Sequence, residues 1–354
     1  MTSDTQISDH IHIPLHKRKR FWVALCGFIL MMVLGMTIYI LVDRQLNKHP
    51  TNKPYDHEIV HTLAPSLTFD RIKRGKVLAR GGFGTIYIAT VPSIKALRHL
   101  YFVEKHLILS QKNEVEIETE ERVMEMVKRD PSFPQLYKTF RYGECVSLLM
   151  EYFSGGCLHG VYSRKATSHE NSVNPPASIF QENTVKIWIA QTLLGINKLH
   201  KKLLIHADVK LLNIFLSGNH AAKLADFGSA IQIRSSAEKC VIRTYSPHFS
   251  PPEIDADEKA ASQKMDIWGL GVAAYMLLTG HYPFLLGPNK LPIRKDYIPT
   301  TFSGWQAASP EAQSFVLQAL TNDYDSRPTA ADLMKHSWFK GIDWNKIADQ
   351  PVDI

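Results

Sequence analysis

Asp208, Lys210 and Asn213 stand in the run His206-Ala207-Asp208-Val209-Lys210-Leu211-Leu212-Asn213-Ile214, and Asp226-Phe227-Gly228 follows a short β-like run from Ala221 to Ala225. Transfer of a phosphoryl group needs a carboxylate near the attacking hydroxyl, a cation near the group in flight and oxygen ligands for a metal. Those residue types occur here at short spacing. Upstream, Gly81-Gly82-Phe83-Gly84 lies between two β-favouring stretches of the run Gly75 to Ile88. Without a Cβ, backbone can approach a ligand closely enough for its N–H groups to meet anionic oxygens. Each feature alone has a plainer explanation: a glycine-rich hairpin is as often structural, and a lone Asp or Lys is usually a solvated charge. The combination does not. Five specified positions at about one in twenty each coincide on the order of once in a million registers.

The run 206–214 resembles the catalytic loop of protein kinases, H-R-D-L-K-x-x-N, and residues 226–228 resemble their D-F-G. On this resemblance Asp208 orients a protein hydroxyl and Lys210 offsets charge on the γ-phosphoryl group of ATP. Asn213 and Asp226 hold Mg2+, or Mn2+ in its place, while His206, Phe227 and Gly228 are structural. Lys210 two places after Asp208, together with Ser246 in the substrate loop, matches serine/threonine kinases. Ala207 replaces the arginine that ties this loop to a phosphorylated activation segment, which implies activity independent of that phosphorylation. The likeness continues through Tyr245 to Glu253, where Pro251 replaces the alanine of A-P-E. It extends through Asp266-Ile267-Trp268-Gly269-Leu270-Gly271, similar to D-I-W-S-L-G, and Arg327-Pro328-Thr329 with His336-Ser337-Trp338-Phe339, similar to R-P-T and H-P-W-F. In the family Asp266 braces the catalytic loop and Arg327 pairs with Glu253, so these three are assigned to structure.

These groups have to be positioned by two lobes. The fold class implied is α+β: a small β-rich lobe with one helix over residues 68–150 and a mainly helical lobe over 151–340. The glycine cluster departs from G-x-G-x-x-G, whose first glycine would stand at Ala79, so Gly81, Phe83 and Gly84 carry the match. Gly82, Leu78 and Ile86 complete the ATP-binding residues expected on that hairpin. Two lysines compete to hold the phosphates. Lys95, in Ser-Ile-Lys-Ala, follows Gly84 too closely to leave two strands and a turn, whereas Lys105 lies in a β-like run with room for the hairpin and is preferred. Val123, Met126 and Val127 are spaced for a helix over Glu114 to Lys128, and Glu120-Glu121-Arg122-Val123-Met124 resembles the family's E-x-x-I-L, which implies Glu120 as the lysine's partner. Leu148 to Gly156 is an apolar strand ending in a glycine-rich turn that resembles the inter-lobe hinge. There Met150 is the gatekeeper and the backbone from Glu151 to Phe153 meets adenine. Gln181 to His200 is a long amphipathic helix burying Ile187, Leu194 and Ile196, and Val161 to Phe180, with Asn174-Pro175-Pro176, reads as a flexible insertion before it.

The chain has 354 residues, 45% hydrophobic and 21% charged, enough for a large core. Its charge of +7 is spread along the sequence, which argues against nucleic acid as a partner. Four cysteines, at 26, 145, 157 and 240, show neither metal-ligand spacing nor a disulfide framework. Phe21 to Val42 contains no charge and is long enough to span a bilayer. It exceeds the apolar core of a cleaved signal and lacks a small-x-small cleavage site, so it reads as a spanning signal-anchor. Residues 1–20 are then a tail ending in Lys17-Arg18-Lys19-Arg20, residues 43 to about 67 an exposed tether, and 341–354 a C-terminal tail. The basic cluster leans toward a cytosolic N-terminus and a lumenal or exterior kinase domain, with a cytosolic domain as the alternative. The absence of an N-x-S/T site beyond the helix fits either side. The function expected is a membrane-anchored serine/threonine protein kinase acting on protein hydroxyls. The alternatives are a membrane-tethered pseudokinase scaffold, suggested by Ala79 and Ala207, or a lumenal kinase for secretory-pathway substrates.

Overall fold

The computed structural model describes residues 57–81, 84–110, 113–170, 178–242, 244–255, 260–286, 292–294 and 298–354. The segment expected to span a membrane, its basic flank and residues 43–56 lie outside them. Among the described residues no helix is long and apolar enough to cross a membrane.

Helix α1 (His57–Leu63) precedes the sheet strands β1 (Lys73–Gly81), β2 (Gly84–Thr90) and β3 (Phe102–Ile108). Helix α2 (Glu114–Met126) follows, then β4 (Leu136–Tyr142) and β5 (Cys145–Glu151). The five strands form an antiparallel sheet in the order β1-β2-β3-β5-β4. Its outer face is covered from the N-terminal side: Val60, Ala64 and Leu67 cluster with Ala89, Phe102, Tyr137 and Leu149. Register sets the other face, because Ile86, Lys105 and Leu148 are cross-strand neighbours and therefore point the same way, into the cleft. Helix α2 buries Ile117, Glu120, Val123 and Met124. Met126, expected inside, is exposed, because its position falls off that stripe.

The larger lobe continues with β6 (Gly156–Cys157), α3 (Leu158–Glu170), α4 (Glu182–Lys201), β7 (Leu204–Ile205), β8 (Ile214–Leu216) and β9 (Ala222–Leu224). Short pairs β10 (Ile231–Gln232) with β7 and β11 (Cys240–Val241) with β12 (Ala260–Ala261) frame the segment after β9, and the one-turn helix α5 (Pro252–Asp255) lies between the latter two. Helices α6 (Gln263–Thr279), α7 (Ser303–Ala307), α8 (Pro310–Ala319) and α9 (Ala330–Leu333) complete it. Helix α6 is buried on all sides from Met265 to Thr279, the pattern of a central helix. It starts at the Ser262 cap and stops at Gly280, whose φ of 77° is the left-handed conformation that ends a helix. Ile187, Leu194 and Ile196 of α4 are buried against it as the periodicity predicts.

Three expectations need correction. Residues 57–67 are not exposed tether, since Val60, Ala64 and Leu67 bury apolar side chains that would otherwise leave the sheet's outer face wet. At the other end the tail from residue 341 is packed: the Gln191 side chain donates to the carbonyls of Ile347 and Gln350 at 3.0 and 2.9 Å, and Val352 is buried. The flexible insertion expected from Val161 to Phe180 is helical through Glu170. There Leu158 and Val161 pack into the core and the Tyr162 hydroxyl donates to the Gly280 carbonyl at 2.7 Å. Ile179 and Phe180 are buried as well.

Candidate active site

Between the lobes lies a cavity of about 300 Å3, roofed by Leu78, Ile86 and Val103, backed by Met150 and floored by Phe215. At its inner end Lys105 Nζ meets both oxygens of Glu120, at 2.8 and 2.6 Å, and Asp226 Oδ1 at 3.7 Å. Burial opposes the charge on Lys105, but Glu120 and Asp226 together outweigh it and hold the ammonium above its usual value. Partial desolvation in the cleft pushes the half-exposed Asp226 carboxyl up, and Lys105 and Lys210 bring it back below the usual carboxylate range. Burial also pushes the Glu120 carboxyl up, against Lys105. With both oxygens on one ammonium the pair is ionised. Lys95 is exposed on the connection between β2 and β3, away from this cluster.

The catalytic-loop run sits between β7 and β8, where its backbone is held by one carboxylate. Asp266 Oδ2 accepts from the His206 N–H and Oδ1 from the Ala207 N–H, both at 2.9 Å, while the His200 ring lies 2.8 Å from Oδ2. Ala207 and Asp226 have φ of 66° and 67°. A left-handed conformation costs a non-glycine residue about 1–2 kcal/mol. Asp266 offsets that at Ala207, and the His206 ring, 3.0 Å from the Ala225 carbonyl, ties the two strained turns together. Phe227 packs edge-on against Phe133 and His206, at 5.8 and 5.5 Å.

Asp208 is treated asymmetrically. Its Oδ2 accepts from Lys210 Nζ at 2.5 Å and Asn213 Nδ2 at 3.0 Å, whereas Oδ1 is buried with no hydrogen-bond partner among the described residues. Lys210 Nζ also donates to Ser246 Oγ at 2.9 Å, so the segment before α5 is tied to the loop. Farther off, Arg327 donates to both oxygens of Glu253 at 2.7 and 3.0 Å beneath that segment.

At the hinge Met150, Glu151, Tyr152 and Phe153 all line the cavity, while the Glu151 N–H donates to the Gln135 carbonyl at 2.9 Å. The Glu151 carboxylate turns toward Lys223 at 3.1 Å. On the hairpin, Gly84 is demanded by packing: a Cβ there would lie 2.1 Å from the His106 carbonyl oxygen on β3. At Gly228 the nearest atom to such a Cβ is 3.8 Å away, so no close approach there requires glycine. Gly81 ends β1 opposite Gly84, and Gly82 and Phe83 lie outside the described residues. Met124, Cys157 and Leu212 also line the cavity, and sequence reasoning did not single them out. Leu212, inside the catalytic-loop run, carried the one usable signal.

A strand lysine paired to a helix glutamate, a braced loop carrying a carboxylate held through one oxygen, and a second carboxylate lining the same cleft define the two-lobed kinase class of protein. The chain belongs to the protein kinase family: residues 72–339 match the family model described as Protein kinase domain. Among curated proteins it is similar to Serine/threonine-protein kinase 4 homolog B of Dictyostelium discoideum, 31% identical over 284 residues, covering 78% of this chain and 23% of that protein. It is similar also to Cytokinesis protein sepH of Aspergillus niger, 28% identical, covering 83% and 21%. A third is Mitogen-activated protein kinase kinase kinase ANP1 of Arabidopsis thaliana, 25% identical, covering 79% and 41%. The chain thus spans between about a fifth and two fifths of the length of these relatives.

Proposed function

We propose that the chain is an ATP-dependent serine/threonine protein kinase anchored in a membrane by residues 21–42. The observation that carries the catalytic reading is Asp208, one oxygen fixed by Lys210 and Asn213 and the other buried and without a partner among the described residues. A buried acceptor without a donor is unfavourable by about 1–3 kcal/mol. An incoming hydroxyl would satisfy Oδ1, and the same contact would orient it for attack. Lys105, held by Glu120, would take the α- and β-phosphates, with adenine between Leu78, Ile86 and Met150.

Asn213 and Asp226 line the cleft with oxygen donors suited to a hard divalent ion, Mg2+ or Mn2+. Such an ion, when bound, neutralises charge on the β- and γ-phosphates. The lowered Asp226 carboxyl keeps that ligand ionised at neutral pH. Lys210 lies where it can offset charge on the transferred group while still holding Asp208. The Lys210 contact to Ser246 supports a serine or threonine acceptor, and the name of the Dictyostelium relative agrees with this. Ala207 offers no cation to a phosphorylated activation segment, which supports activity without that modification.

The test is ATP- and Mg2+-dependent phosphate transfer by the full chain to a generic serine/threonine substrate, beside Asp208→Asn and Asp226→Asn. Each substitution is expected to lower transfer by more than about 100-fold. A wild type that binds nucleotide but transfers nothing would overturn the catalytic reading and leave the scaffold.

A further inference from the structure

The expectation that the charge is spread along the chain needs correction. Between residues 71 and 103 there are seven Lys and Arg and no Asp or Glu, a local excess equal to the +7 of the whole chain. Arg74 is taken up by the buried Glu104, at 2.6 Å, and Arg80 stands beside the glycine hairpin. Arg71, Lys73, Lys95 and Arg98 are exposed, with no ion-pair partner among the described residues. Lys95 and Arg98 share a face for a simple reason. Residues 91–100 form three successive turns, in which the N–H groups of Ile94, Leu97 and Leu100 donate to the carbonyls three residues earlier. Val91, Ile94, Leu97 and Leu100 turn inward to the apolar cluster and the two cations turn out. Phe69, Ile72 and α1 pack on the same cluster, and Lys73 pairs in register with Thr90, which brings Arg71 and Lys73 to the same end of the lobe. Lysines on an edge strand such as β1 protect it from unwanted pairing. That does not account for Lys95 and Arg98, which are on no strand.

We propose that this end of the small lobe is a docking surface for anionic phospholipid headgroups. The proposal rests on residues 21–42 spanning the bilayer. Residues 43–56 then lie between the span and α1, a length that reaches at most about 50 Å, and α1 packs on the cluster that carries the patch. The chain therefore enters the domain beside these cations. Electrostatic attraction decays over about 8 Å at physiological salt, so an anchored domain gains from it only by lying on the surface. Each cation brought there strengthens the contact roughly fivefold. Asp70 is the exposed acid at the border of the patch, and Glu58 of α1 lies 3.6 Å from Arg129. The anionic leaflet is the cytoplasmic one, so this contact places the kinase lobes on the cytoplasmic side.

The full chain in lipid nanodiscs tests this, using trypsin cleavage after Lys95 and Arg98 against cleavage at the exposed Lys346 as the internal control. At about 0.1 M salt, discs containing phosphatidylserine are expected to slow cleavage after Lys95 and Arg98 by about tenfold or more relative to phosphatidylcholine discs. Lys346 should be unaffected, and high salt should abolish the difference. Arg71→Glu with Lys73→Glu, which keeps both scissile residues, should abolish it as well. Equal rates on the two discs, or equal slowing at Lys346, overturns the docking with the anchor intact. A chain retained by neither disc overturns the anchor, and the docking with it.

Discussion

Lys95 and Lys105 show how a single residue's role depends on where the fold puts it. Both are candidates for the strand lysine in the sequence, and only Lys105 is inside the cleft, against Glu120 and Asp226. Lys105→Met is expected to weaken nucleotide binding and to lower transfer by more than about 100-fold. Lys95→Met should leave transfer on a soluble peptide within about twofold, and a titration of nucleotide affinity on both variants checks the pair. Thr244 gives a second residue-level prediction. Its hydroxyl is already 3.1 Å from Ser229 Oγ, and Ala207 supplies no cation for a phosphate. In phosphatase-treated protein Thr244→Ala should therefore keep transfer within about threefold, and a large loss would refute phosphorylation-independent activity. The residue types were legible because phosphoryl transfer tolerates few substitutes for them. Which carboxylate oxygen stays free was not legible, since that depends on Lys210 and Asn213 closing on the other from the same loop.

Elements were legible where one periodicity ran uninterrupted, as in α4, and illegible where local and tertiary signals disagree. The asparagine, serine and proline content of residues 171–177 hid the fact that α3 reaches Glu170. The turns at 91–100 follow a period of three that neither a strand nor an α-helix template detects. Glu182, in the first turn of α4, joins elements distant in sequence. Its carboxylate accepts from the Ser309 hydroxyl and N–H at 2.6 and 2.8 Å and from the Trp338 indole at 2.9 Å. Burial pushes this carboxyl up, and those donors bring it below its ordinary range. A depressed folded value means that the stabilisation is complete above the unfolded pKa of about 4.3 and is lost as pH falls through the folded value. Glu182→Gln should therefore lower stability at neutral pH by about 1 kcal/mol after solvent screening. The difference from wild type should shrink below about pH 4. Thermal unfolding at the two pH values checks both, and a gap that widens in acid would refute the assignment.

At the scale of the whole molecule, the two lobes are joined by charge as well as by the hinge backbone. Glu151, where β5 leaves the small lobe, lies 3.1 Å from Lys223 on β9 of the large lobe, and both are buried. His57 of α1 lies 3.7 Å from the same carboxylate and Asp349 of the C-terminal segment 3.8 Å from the same ammonium. Four distant parts of the chain therefore converge behind the cleft, which explains why the packed body extends past residues 68 and 340 at both ends. No local pattern reveals this, because neither Glu151 nor Lys223 belongs to a run that needs a charge. Breaking such a pair on one side leaves a buried charge uncompensated and costs about 3–5 kcal/mol. Lys223→Met alone should show that loss. Lys223→Met with Glu151→Gln should recover part of it, because no buried charge then lacks its partner, and the cycle should give a coupling of about 1–3 kcal/mol. Denaturant unfolding of the three variants measures that coupling. Since the pair bridges the lobes, Lys223→Met should also split one unfolding transition into two, with the small lobe melting first. Additive losses and a single transition in every variant would mean that the hinge backbone and α1 hold the lobes together without it.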